Sequence, residues 1–358
     1  MTTKTTEPGG DVPLLEVRRA CKSYGGGFFG GGERVRALRD CSVTLCGRPA
    51  SITAVAGESG SGKSTLAGAV LGFVRLDSGQ VLFKGQEIAG MSKKQHFEYR
   101  RRVQAVFQDP YAVFNPFYHV EHIFHLVMRR FGLARGRKEV LKRITEALET
   151  VGLRADQILG KHPHQLSGGQ RQRVMIARAC LMKPDLIVAD EPVSMVDASL
   201  RSTILDIMLR LRDEAGITFL YITHDLSTAY QICDDIHIFY QGSQVESGKV
   251  DDVLGVPKHP YTQLLISSIP EPDPSREWGG EEVAPEGEST QKSATGDECP
   301  FYPRCPARMD RCRSRFPPQV ALNAVGHKAA CELYVGDEAN PAVTGVASGR
   351  PGKANLRE

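Results

Sequence analysis

A glycine-rich stretch near the start of the chain has the residue types needed to bind phosphate groups. It fits the pattern G-x-x-x-x-G-K-[ST] at every fixed position, with a predicted buried strand before it (51–55) and a predicted helix after it (65–71). Glycines let backbone N–H groups converge on anionic oxygens, and the helix N-terminus adds the positive end of a dipole. An accidental Gly/Ser-rich turn is disfavoured by the Lys-Ser-Thr ending between a strand and a helix. We call this stretch the phosphate loop, and its residues are Gly57, Glu58, Ser59, Gly60, Ser61, Gly62, Lys63, Ser64 and Thr65.

Two side chains of the phosphate loop can complete a triphosphate site. Lys63 is predicted to reach the β- and γ-phosphates as a point charge. The Ser64 hydroxyl is predicted to join the coordination shell of Mg²⁺. The loop therefore predicts a nucleoside triphosphate and magnesium as cofactors.

Two carboxylates follow an apolar run later in the chain. The run from 185 to 189 leads directly into Asp190 and Glu191. This is the pattern of a fully buried parallel strand whose C-terminal tip carries function. The two acids are therefore candidate site residues.

A second anion-binding element is predicted at the start of an apolar helix at 174–179. Ser167, Gly168, Gly169 and Gln170 stand where free N–H groups and the helix dipole can bind an anion. One chain does not need two such elements for one γ-phosphate. The pair therefore predicts a dimer in which the partner supplies the second element.

The composition of the chain is that of an ordinary globular protein. It has 358 residues, of which 41% are hydrophobic and 24% charged, and its net charge of +3 gives no argument for a nucleic-acid partner. No run approaches the ~20 apolar residues of a membrane span, and the polar first residues lack the apolar core of a signal peptide. A soluble chain that stays in the compartment where it is made is expected.

The elements around the candidate residues predict an α/β fold. Strands that alternate with helices around a phosphate loop form a parallel sheet with covered faces. The glycine run at 25–32 lacks a following Lys-Ser pair and is expected to be a flexible connection. Tyr24, just before it, could pack on the sheet as a strand-end aromatic or stack on a nucleotide base. The expected strands are 14–18, 41–45, 51–55, 79–85, 185–191, 218–222 and 236–240, with helices within 115–165 and at 203–212.

Taken together and in this order, the motifs of residues 14–248 resemble the ATP-binding cassette (ABC) family of transport ATPases. The resemblance identifies the phosphate loop as the Walker A motif, 186–190 as the Walker B strand and 166–170 as the signature. The segment 194–197 matches the D-loop, with Ser-Met-Val-Asp in place of the commoner Ser-Ala-Leu-Asp. That change keeps the polar ends and gives no reason to expect a loss of hydrolysis.

The resemblance also implies roles for individual residues in ATP hydrolysis. Asp190 would hold Mg²⁺ through water, with Ser64 and Gln108 as further magnesium residues. Tyr24 would be the aromatic that stacks on the base. The barrier would fall by positioning and charge neutralisation. The implied catalytic residues are Glu191 as the general base, Gln108 of the Q-loop, the switch histidine His224, and Lys63.

The implied fold class is α/β, with a P-loop NTPase (RecA-like) core, an antiparallel β subdomain, a helical signature subdomain and a small Cys-rich C-terminal extension. The expected boundaries are a nucleotide-binding domain at 14–250 with its helical subdomain at about 91–180, an extension at 251–278, a linker at 279–298, a Cys-rich segment at 299–335 and a disordered tail at 336–358.

Three further stretches resemble the oligopeptide/dipeptide/nickel importer subfamily, namely 109–116, His-Pro-Tyr-Thr at 259–262, and 299–306. The resemblance implies an ATPase subunit that energises uptake of peptides, with oligosaccharides or nickel as alternative cargoes. The implied partners are a second ABC ATPase subunit, identical or different, two transmembrane permease subunits that bind near the Q-loop, and indirectly an extracytoplasmic substrate-binding protein. The implied location is the cytoplasmic face of the cell membrane, as a peripheral protein.

The nine cysteines fall into two groups. The scattered group is expected to act as small core hydrophobes; its members are Cys21, Cys41, Cys46, Cys180 and Cys233. The C-terminal group stands in a proline-rich segment with little apolar material, where a metal is a more plausible staple than a disulfide in a reducing compartment. Its members are Cys299, Cys305, Cys312 and Cys331.

The spacing of the C-terminal cysteines bears on which metal they could hold. Zinc sites usually carry C-x₂₋₄-C pairs, whereas here five residues separate the first two cysteines and six the next two. The segment resembles the C-terminal region of dipeptide-importer ATPases, some of which hold a four-iron four-sulfur cluster on four cysteines. That cluster is therefore favoured over zinc or an empty site, with a structural or redox-sensing role.

Two other classes of protein share parts of this pattern. Soluble cassette proteins that act on DNA or ribosomes usually carry two cassettes or a long coiled-coil insertion, and this chain has one cassette and no sustained heptads. A regulatory subunit that binds ATP without hydrolysing it would be expected to lose Glu191 or His224, and both are present. A transport ATPase is therefore favoured.

Overall fold

A computed structural model describes residues 12–25, 34–269 and 297–336 of the chain. Most of the glycine run at 25–32, of the 279–298 linker and of the 336–358 tail lies outside these ranges, as does 270–278. The predictions for those stretches are therefore not addressed by the structure.

The strands and helices are numbered in chain order. The strands are β1 (Leu15–Tyr24), β2 (Val35–Leu45), β3 (Ile52–Ala56), β4 (Ser78–Phe83), β5 (Gln86–Glu87), β6 (Val103–Val106), β7 (Leu186–Asp190), β8 (Thr218–Thr223), β9 (Asp235–Tyr240), β10 (Ser243–Lys249), β11 (Val320–Ala321) and β12 (Lys328–Ala329). The helices are α1 (Lys63–Val70), α2 (Lys93–Arg102), α3 (Pro110–Val113), α4 (His122–Phe131), α5 (Arg137–Thr150), α6 (Ala155–Ile158), α7 (Gly168–Cys180), α8 (Ala198–Asp213), α9 (Leu226–Ile232), α10 (Val250–Gly255) and α11 (Pro260–Ser267).

The larger sheet positions the candidate site residues. Its eight strands have the order β11-β12-β10-β9-β3-β8-β7-β6, and the five strands from β9 to β6 are parallel. Strands β3, β6 and β8 are buried along their whole length, as parallel strands covered on both faces must be. Pairing of Ala56 with Thr223 and of Asp190 with Ile222 brings the carboxyl ends of β3, β8 and β7 to one edge.

The smaller sheet has the order β2-β1-β4-β5 and is antiparallel throughout. Its inner face forms a second core with α1, in which Leu15, Val17 and Leu38 pack with Leu66 and Val70. This is the predicted antiparallel β subdomain. Strands β1 and β2 extend well beyond the predicted 14–18 and 41–45. The predictions were too short because apolar and polar residues alternate only in those parts of the two strands.

Helices α2 to α7 occupy most of the expected helical subdomain at about 91–180. One strand interrupts this range, since β6 pairs with β7 and belongs to the larger sheet. The apolar stripe of α4 is buried through Phe124 and Met128, as its spacing predicts. Across the described residues, no helix is long and apolar enough to cross a membrane.

The Cys-rich segment packs on the main body of the protein. Its strands β11 and β12 extend the larger sheet, with β12 antiparallel to β10. Phe301 has no exposed surface and belongs, with Cys299 and Cys312, to the larger hydrophobic core. The segment has too little apolar material for a core of its own and instead shares the core of the parallel sheet, which its local sequence does not indicate.

The scattered cysteines differ from one another. Cys41 and Cys233 are buried and act as small core hydrophobes, whereas Cys21 and Cys180 are only partly buried. Cys46 is exposed, so the prediction that it is a core residue is wrong. It lies just after the end of β2, where the chain leaves the sheet.

Candidate functional site

The phosphate loop joins the end of β3 to the start of α1. Gly57 and Gly62 have positive φ values of 147° and 100°. A Cβ on Gly57 would lie 2.1 Å from the carbonyl oxygen of Phe239, and one on Gly62 would lie 2.2 Å from that of Ala37. Both distances are shorter than any real Cβ contact, so these two positions require glycine. The loop backbone therefore lies directly against β9 at Gly57 and against β2 at Gly62.

Lys63 is buried at the first position of α1, with 5% of its surface exposed. Its Nζ donates to the carbonyl oxygens of Gly57 at 2.8 Å and Glu58 at 2.7 Å, and lies 3.3 Å from Ser61 Oγ. Burial lowers the pKa of Lys63, and the carboxylates of Glu191, Asp190 and Glu58 oppose that shift. The ammonium group therefore lies inside the loop, close to the carboxylates of the site.

Two oxygen ligands suited to magnesium meet beside the loop. Asp190, at the end of β7, forms a side-chain hydrogen bond with the hydroxyl of Ser64. Burial and the neighbouring Glu191 raise the pKa of Asp190, against the effects of Ser64 and Lys63. A hydroxyl and a carboxylate are hard oxygen donors of the kind that Mg²⁺ prefers, so the residues fit this ion. When bound, Mg²⁺ neutralises phosphate charge.

Glu191 lies at the centre of a hydrogen-bonded triplet. Its Oε2 accepts from Gln108 Nε2 at 2.8 Å, and its Oε1 lies 2.9 Å from His224 Nδ1. The three residues follow β7, β6 and β8, so the adjacent carboxyl ends of three parallel strands bring them together. The side chain of Glu191 is 17% exposed and that of His224 is 58% exposed. A partly exposed carboxylate in this place can accept a proton from water. In these hydrogen bonds Gln108 contacts Glu191, not the Ser64–Asp190 pair.

The backbone of Glu191 is held in an unusual conformation. Its φ is +44°, which residues other than glycine seldom adopt. Its N–H donates to the carbonyl of Ile222 at 2.9 Å, and its carbonyl accepts from the N–H and hydroxyl of Ser194. The D-loop serine predicted from the sequence thus fixes the backbone that carries the candidate base.

The predicted second anion site forms the N-terminus of α7. Ser167 is the N-cap, and its hydroxyl and the Gln170 side chain form a reciprocal capping box. A Cβ on Gly169 would lie 2.7 Å from Leu200 Cδ1, so this glycine allows α7 to pack against α8. Ser167 is exposed. Among the described hydrogen bonds and ion pairs, none joins Ser167–Gln170 to the phosphate loop.

Tyr24 stands at the end of β1, paired with Val35 of β2. Its side chain is 44% exposed, and Lys22 Nζ lies 5.5 Å from its ring centroid. Further along β2, Leu38 approaches Gly62 of the phosphate loop. An exposed ring at the end of the strand pair that borders the loop is available for stacking, and its contact with a base stays a prediction.

The four C-terminal cysteines line one small cavity. Cys299, Cys305, Cys312 and Cys331 share its wall with His259, Phe301 and Glu332, among other residues. Burial raises the pKa of Cys299 to about 12 and that of Cys331 to about 11, and the neighbouring thiols add to both shifts. In residues 12–25, 34–269 and 297–336, no three His, Cys, Asp or Glu side chains form a group that could hold a metal ion. This geometry supports neither a zinc site nor an iron–sulfur cluster among the described residues, and the cluster stays a prediction.

Two residues that touch the phosphate loop, Tyr261 and Arg304, have no role predicted from the sequence. The hydroxyl of Tyr261 accepts a hydrogen bond from the N–H of Glu58 at 3.0 Å. Arg304 Nη1 lies 3.1 and 3.2 Å from the two carboxylate oxygens of Glu58. Their distance from the loop in the chain leaves no local pattern to indicate either contact. The only signal was the His-Pro-Tyr-Thr stretch at 259–262, which carried a resemblance but no role.

Comparison with known proteins identifies the relatives of this chain. Residues 40–194 match the family described as "ABC transporter", and residues 245–312 match "Oligopeptide/dipeptide transporter, C-terminal region". The chain is 39% identical to a "Probable peptide ABC transporter ATP-binding protein" of Sinorhizobium fredii, over 89% of this chain and 90% of that protein. It is 42% identical to the "Oligopeptide transport ATP-binding protein OppF" of Bacillus subtilis, over 68% and 79%.

Solved structures share the same fold. The cbiO1 protein of Clostridium perfringens, part of the ABC transporter complex cbiONQ, matches with a TM-score of 0.58 and 27% identity, over 68% of this chain and 91% of that one. The ATP-binding cassette MJ0796, in a dimeric post-hydrolysis state bound to ADP and Pi, matches with a TM-score of 0.57 and 26% identity, over 66% and 99%.

Proposed function

The chain belongs to the ATP-binding subunits of ABC transporters, and from this premise we propose that it hydrolyses ATP to energise the uptake of peptides through a membrane permease. The single observation that carries the hydrolytic role is the triplet of Gln108, Glu191 and His224. It lies at the strand edge that also presents Lys63 and the Ser64–Asp190 pair. A general base, a phosphate-binding cation and magnesium ligands therefore share one site.

Different residues of the site have different roles in ATP hydrolysis. The loop N–H groups and Lys63 bind the phosphates, and Ser64 and Asp190 hold Mg²⁺. Glu191 orients a water molecule and takes its proton at a carboxylate oxygen, while Gln108 and His224 fix the direction of that carboxylate. Positioning and charge neutralisation supply most of the catalysis in phosphoryl transfer of this kind.

Peptide is the proposed cargo because two independent comparisons agree on it. The C-terminal family match covers 245–312, outside the part that matches the general ABC transporter family, and the relatives carry peptide or oligopeptide transport in their names. The test is ATP hydrolysis by the chain reconstituted in vesicles with its permease and binding protein. Dipeptides or oligopeptides should stimulate hydrolysis and enter the vesicles. Stimulation by nickel or an oligosaccharide, with no response to peptides, would overturn the cargo.

The proposed partners are a second ATPase subunit and two permease subunits, with an extracytoplasmic binding protein acting through the permease. The exposed N-terminus of α7 supports the dimer, because Ser167 is free to meet the phosphate loop of a facing subunit. The dimeric state of the similar cassette MJ0796 supports the same arrangement. The proposed location follows from the permease partner: the chain is peripheral, at the cytoplasmic face of the membrane.

A four-iron four-sulfur cluster on Cys299, Cys305, Cys312 and Cys331 remains part of the proposal. Its support is the donor set, because three buried thiols and the partly buried Cys305 line one cavity. The test is anaerobic purification followed by iron and acid-labile sulfide analysis. A colourless protein with stoichiometric zinc, or with no metal, would overturn the cluster.

A further inference from the structure

Tyr261 connects the C-terminal extension to the phosphate loop. It stands at the second position of α11, whose N-cap His259 accepts the Tyr261 N–H through Nδ1 at 3.0 Å. The side chain of Tyr261 is fully buried, and its hydroxyl accepts the N–H of Glu58 at 3.0 Å. This backbone amide therefore points at the extension and is not among the loop amides free to bind a phosphate.

Arg304 holds the side chain of the same residue. Its guanidinium lies 3.1 Å from one Glu58 carboxylate oxygen and 3.2 Å from the other, and its Cζ lies 5.9 Å from the Tyr240 ring centroid. The carbonyl of Glu58 accepts from Lys63 Nζ at 2.7 Å. The backbone N–H, carboxylate and carbonyl of Glu58 thus bind Tyr261, Arg304 and Lys63 respectively. Moving Glu58 would therefore move an acceptor of the lysine that binds phosphate.

Tyr261 and Arg304 both contact Phe301, which lines the cavity of the four cysteines. The Phe301 ring lies 5.4 Å from the Tyr261 ring and 5.3 Å from the Tyr240 ring, and Arg304 lies 5.8 Å above it. Phe301 also forms part of the cavity wall, between Cys299 and Cys305 in the sequence. Interiors are close-packed, so a change in this cavity is transmitted to the rings that touch it.

We propose that Tyr261 and Arg304 are positioning residues for ATP binding, which hold Glu58 through direct contacts and thereby set the shape of the phosphate loop. The Cys-rich segment then contributes directly to the shape of the nucleotide site through Arg304. Neither residue touches the reacting atoms; both act through the loop. The inference rests on the ATP site alone and does not depend on the cargo.

The two contacts should differ in strength. The Tyr261 contact is a buried hydrogen bond, and a net loss of this kind weakens binding about three- to tenfold. The Arg304–Glu58 pair is 43% and 40% exposed, and exposed ion pairs contribute less, so about threefold or less is expected. Tyr261→Phe should therefore weaken ATP binding more than Arg304→Met does.

The experiment measures ATP affinity of the full chain without Mg²⁺, to prevent hydrolysis, and then KM and kcat in the reconstituted transporter. Tyr261→Phe should raise the ATP Kd and KM about three- to tenfold and leave kcat within about twofold. Arg304→Lys should restore most of the affinity lost in Arg304→Met. Combining Arg304→Met with Glu58→Gln should cost no more than the larger single change, because the two side chains act on each other.

Tyr334→Phe is the matched control. The Tyr334 hydroxyl donates to the carbonyl of Lys258 at 3.1 Å, so this change also removes one partly buried hydroxyl contact but leaves Glu58 untouched. Its ATP Kd should equal that of the wild type. An unchanged ATP Kd in Tyr261→Phe, or an equal loss in Tyr334→Phe, would overturn the positioning role. A failure of peptides to stimulate the transporter would leave these Kd values unaffected, so the two proposals fail separately.

Discussion

His224 Nδ1 lies 2.9 Å from Glu191 Oε1, across the gap between the ends of two neighbouring parallel strands. Gln108 occupies the other oxygen of the same carboxylate at 2.8 Å. The candidate base therefore has both oxygens in hydrogen bonds with residues that lie beyond adjacent strands. A movement of the segments after β6 or β8 would therefore change the direction of the carboxylate.

Glu191→Gln is expected to bind ATP and to hydrolyse it at least about a hundredfold more slowly than the wild type. The amide keeps the size of the side chain but cannot take a proton from water. Turnover in the assembled transporter and ATP affinity of the isolated chain are the two measurements. Asp206→Asn, on the second half of α8, is the control for the loss of one acid. Wild-type turnover in Glu191→Gln would disprove the role of this carboxylate as the base.

Ser167→Arg is expected to spare ATP binding and to block hydrolysis. The bulky cation would occupy the exposed start of α7, where a facing subunit is proposed to dock its nucleotide. Equilibrium binding and turnover, measured on the same preparation, separate the two effects. Ser227→Arg provides a comparison at the first turn of another helix, α9. Full activity of the wild-type chain as a strict monomer at high dilution would contradict the dimer model.

Gly62→Ala is expected to abolish high-affinity ATP binding. The new Cβ would lie 2.2 Å from the carbonyl oxygen of Ala37, so the phosphate loop or β2 must move. Gly72→Ala serves as the control because its φ of +73° imposes a similar backbone strain with no atom within 4 Å of the new Cβ. Both variants should lose some thermal stability, and only Gly62→Ala should lose the nucleotide. Equal ATP affinities in the two variants would show that the close contact does not matter.

Local patterns in the sequence indicated the phosphate loop with Lys63 and the acids Asp190 and Glu191, whereas Gln108 and His224 were implied only by the family resemblance. Asp190, Glu191 and His224 follow runs of hydrophobic residues, and Lys63 follows the glycine-rich loop after such a run. Parallel strands bring such positions together wherever the strands lie in order. The order of the parallel strands therefore places Gln108 and His224 beside Glu191, where both form hydrogen bonds with it. The parallel core predicted from alternating strands and helices and the antiparallel subdomain implied by the resemblance are both confirmed.

The contacts that the C-terminal region makes with the rest of the protein could not be predicted from local patterns. The pairing of β10 with β12, the burial of Phe301 and the contacts of Glu58 with Tyr261 and Arg304 join segments that are far apart in the sequence. Strands β11 and β12 have two residues each, which is too short for a strand-like alternation of apolar and polar residues to be recognised in the sequence. Long-range packing decides such contacts, and only the folded chain displays them.

Acid is expected to destabilise the chain through the partly buried His237. Burial lowers the pKa of His237 to about 4, from an ordinary value near 6.5, and Lys328 adds to the shift. Gln244 Nε2 lies 3.0 Å from its Nδ1. Between these two pKa values the unfolded chain binds the proton and the folded chain does not. Stability from this residue is therefore complete above about pH 6.5 and falls as the pH drops toward 4, by up to about 1.4 kcal/mol per pH unit.

Denaturant unfolding at pH 7.5, 6.0 and 5.0, on wild type and His237→Gln, measures this effect. The variant should be less stable than the wild type at pH 7.5, where it lacks only the packing of the ring, and should lose less stability on acidification. The pH dependence left in the variant should include His259, whose pKa burial lowers to about 3. Lys328→Gln should also flatten the pH dependence slightly, since it removes a positive charge that disfavours protonation of His237. Parallel curves for wild type and His237→Gln would mean that His237 does not titrate differently in the folded and unfolded chains.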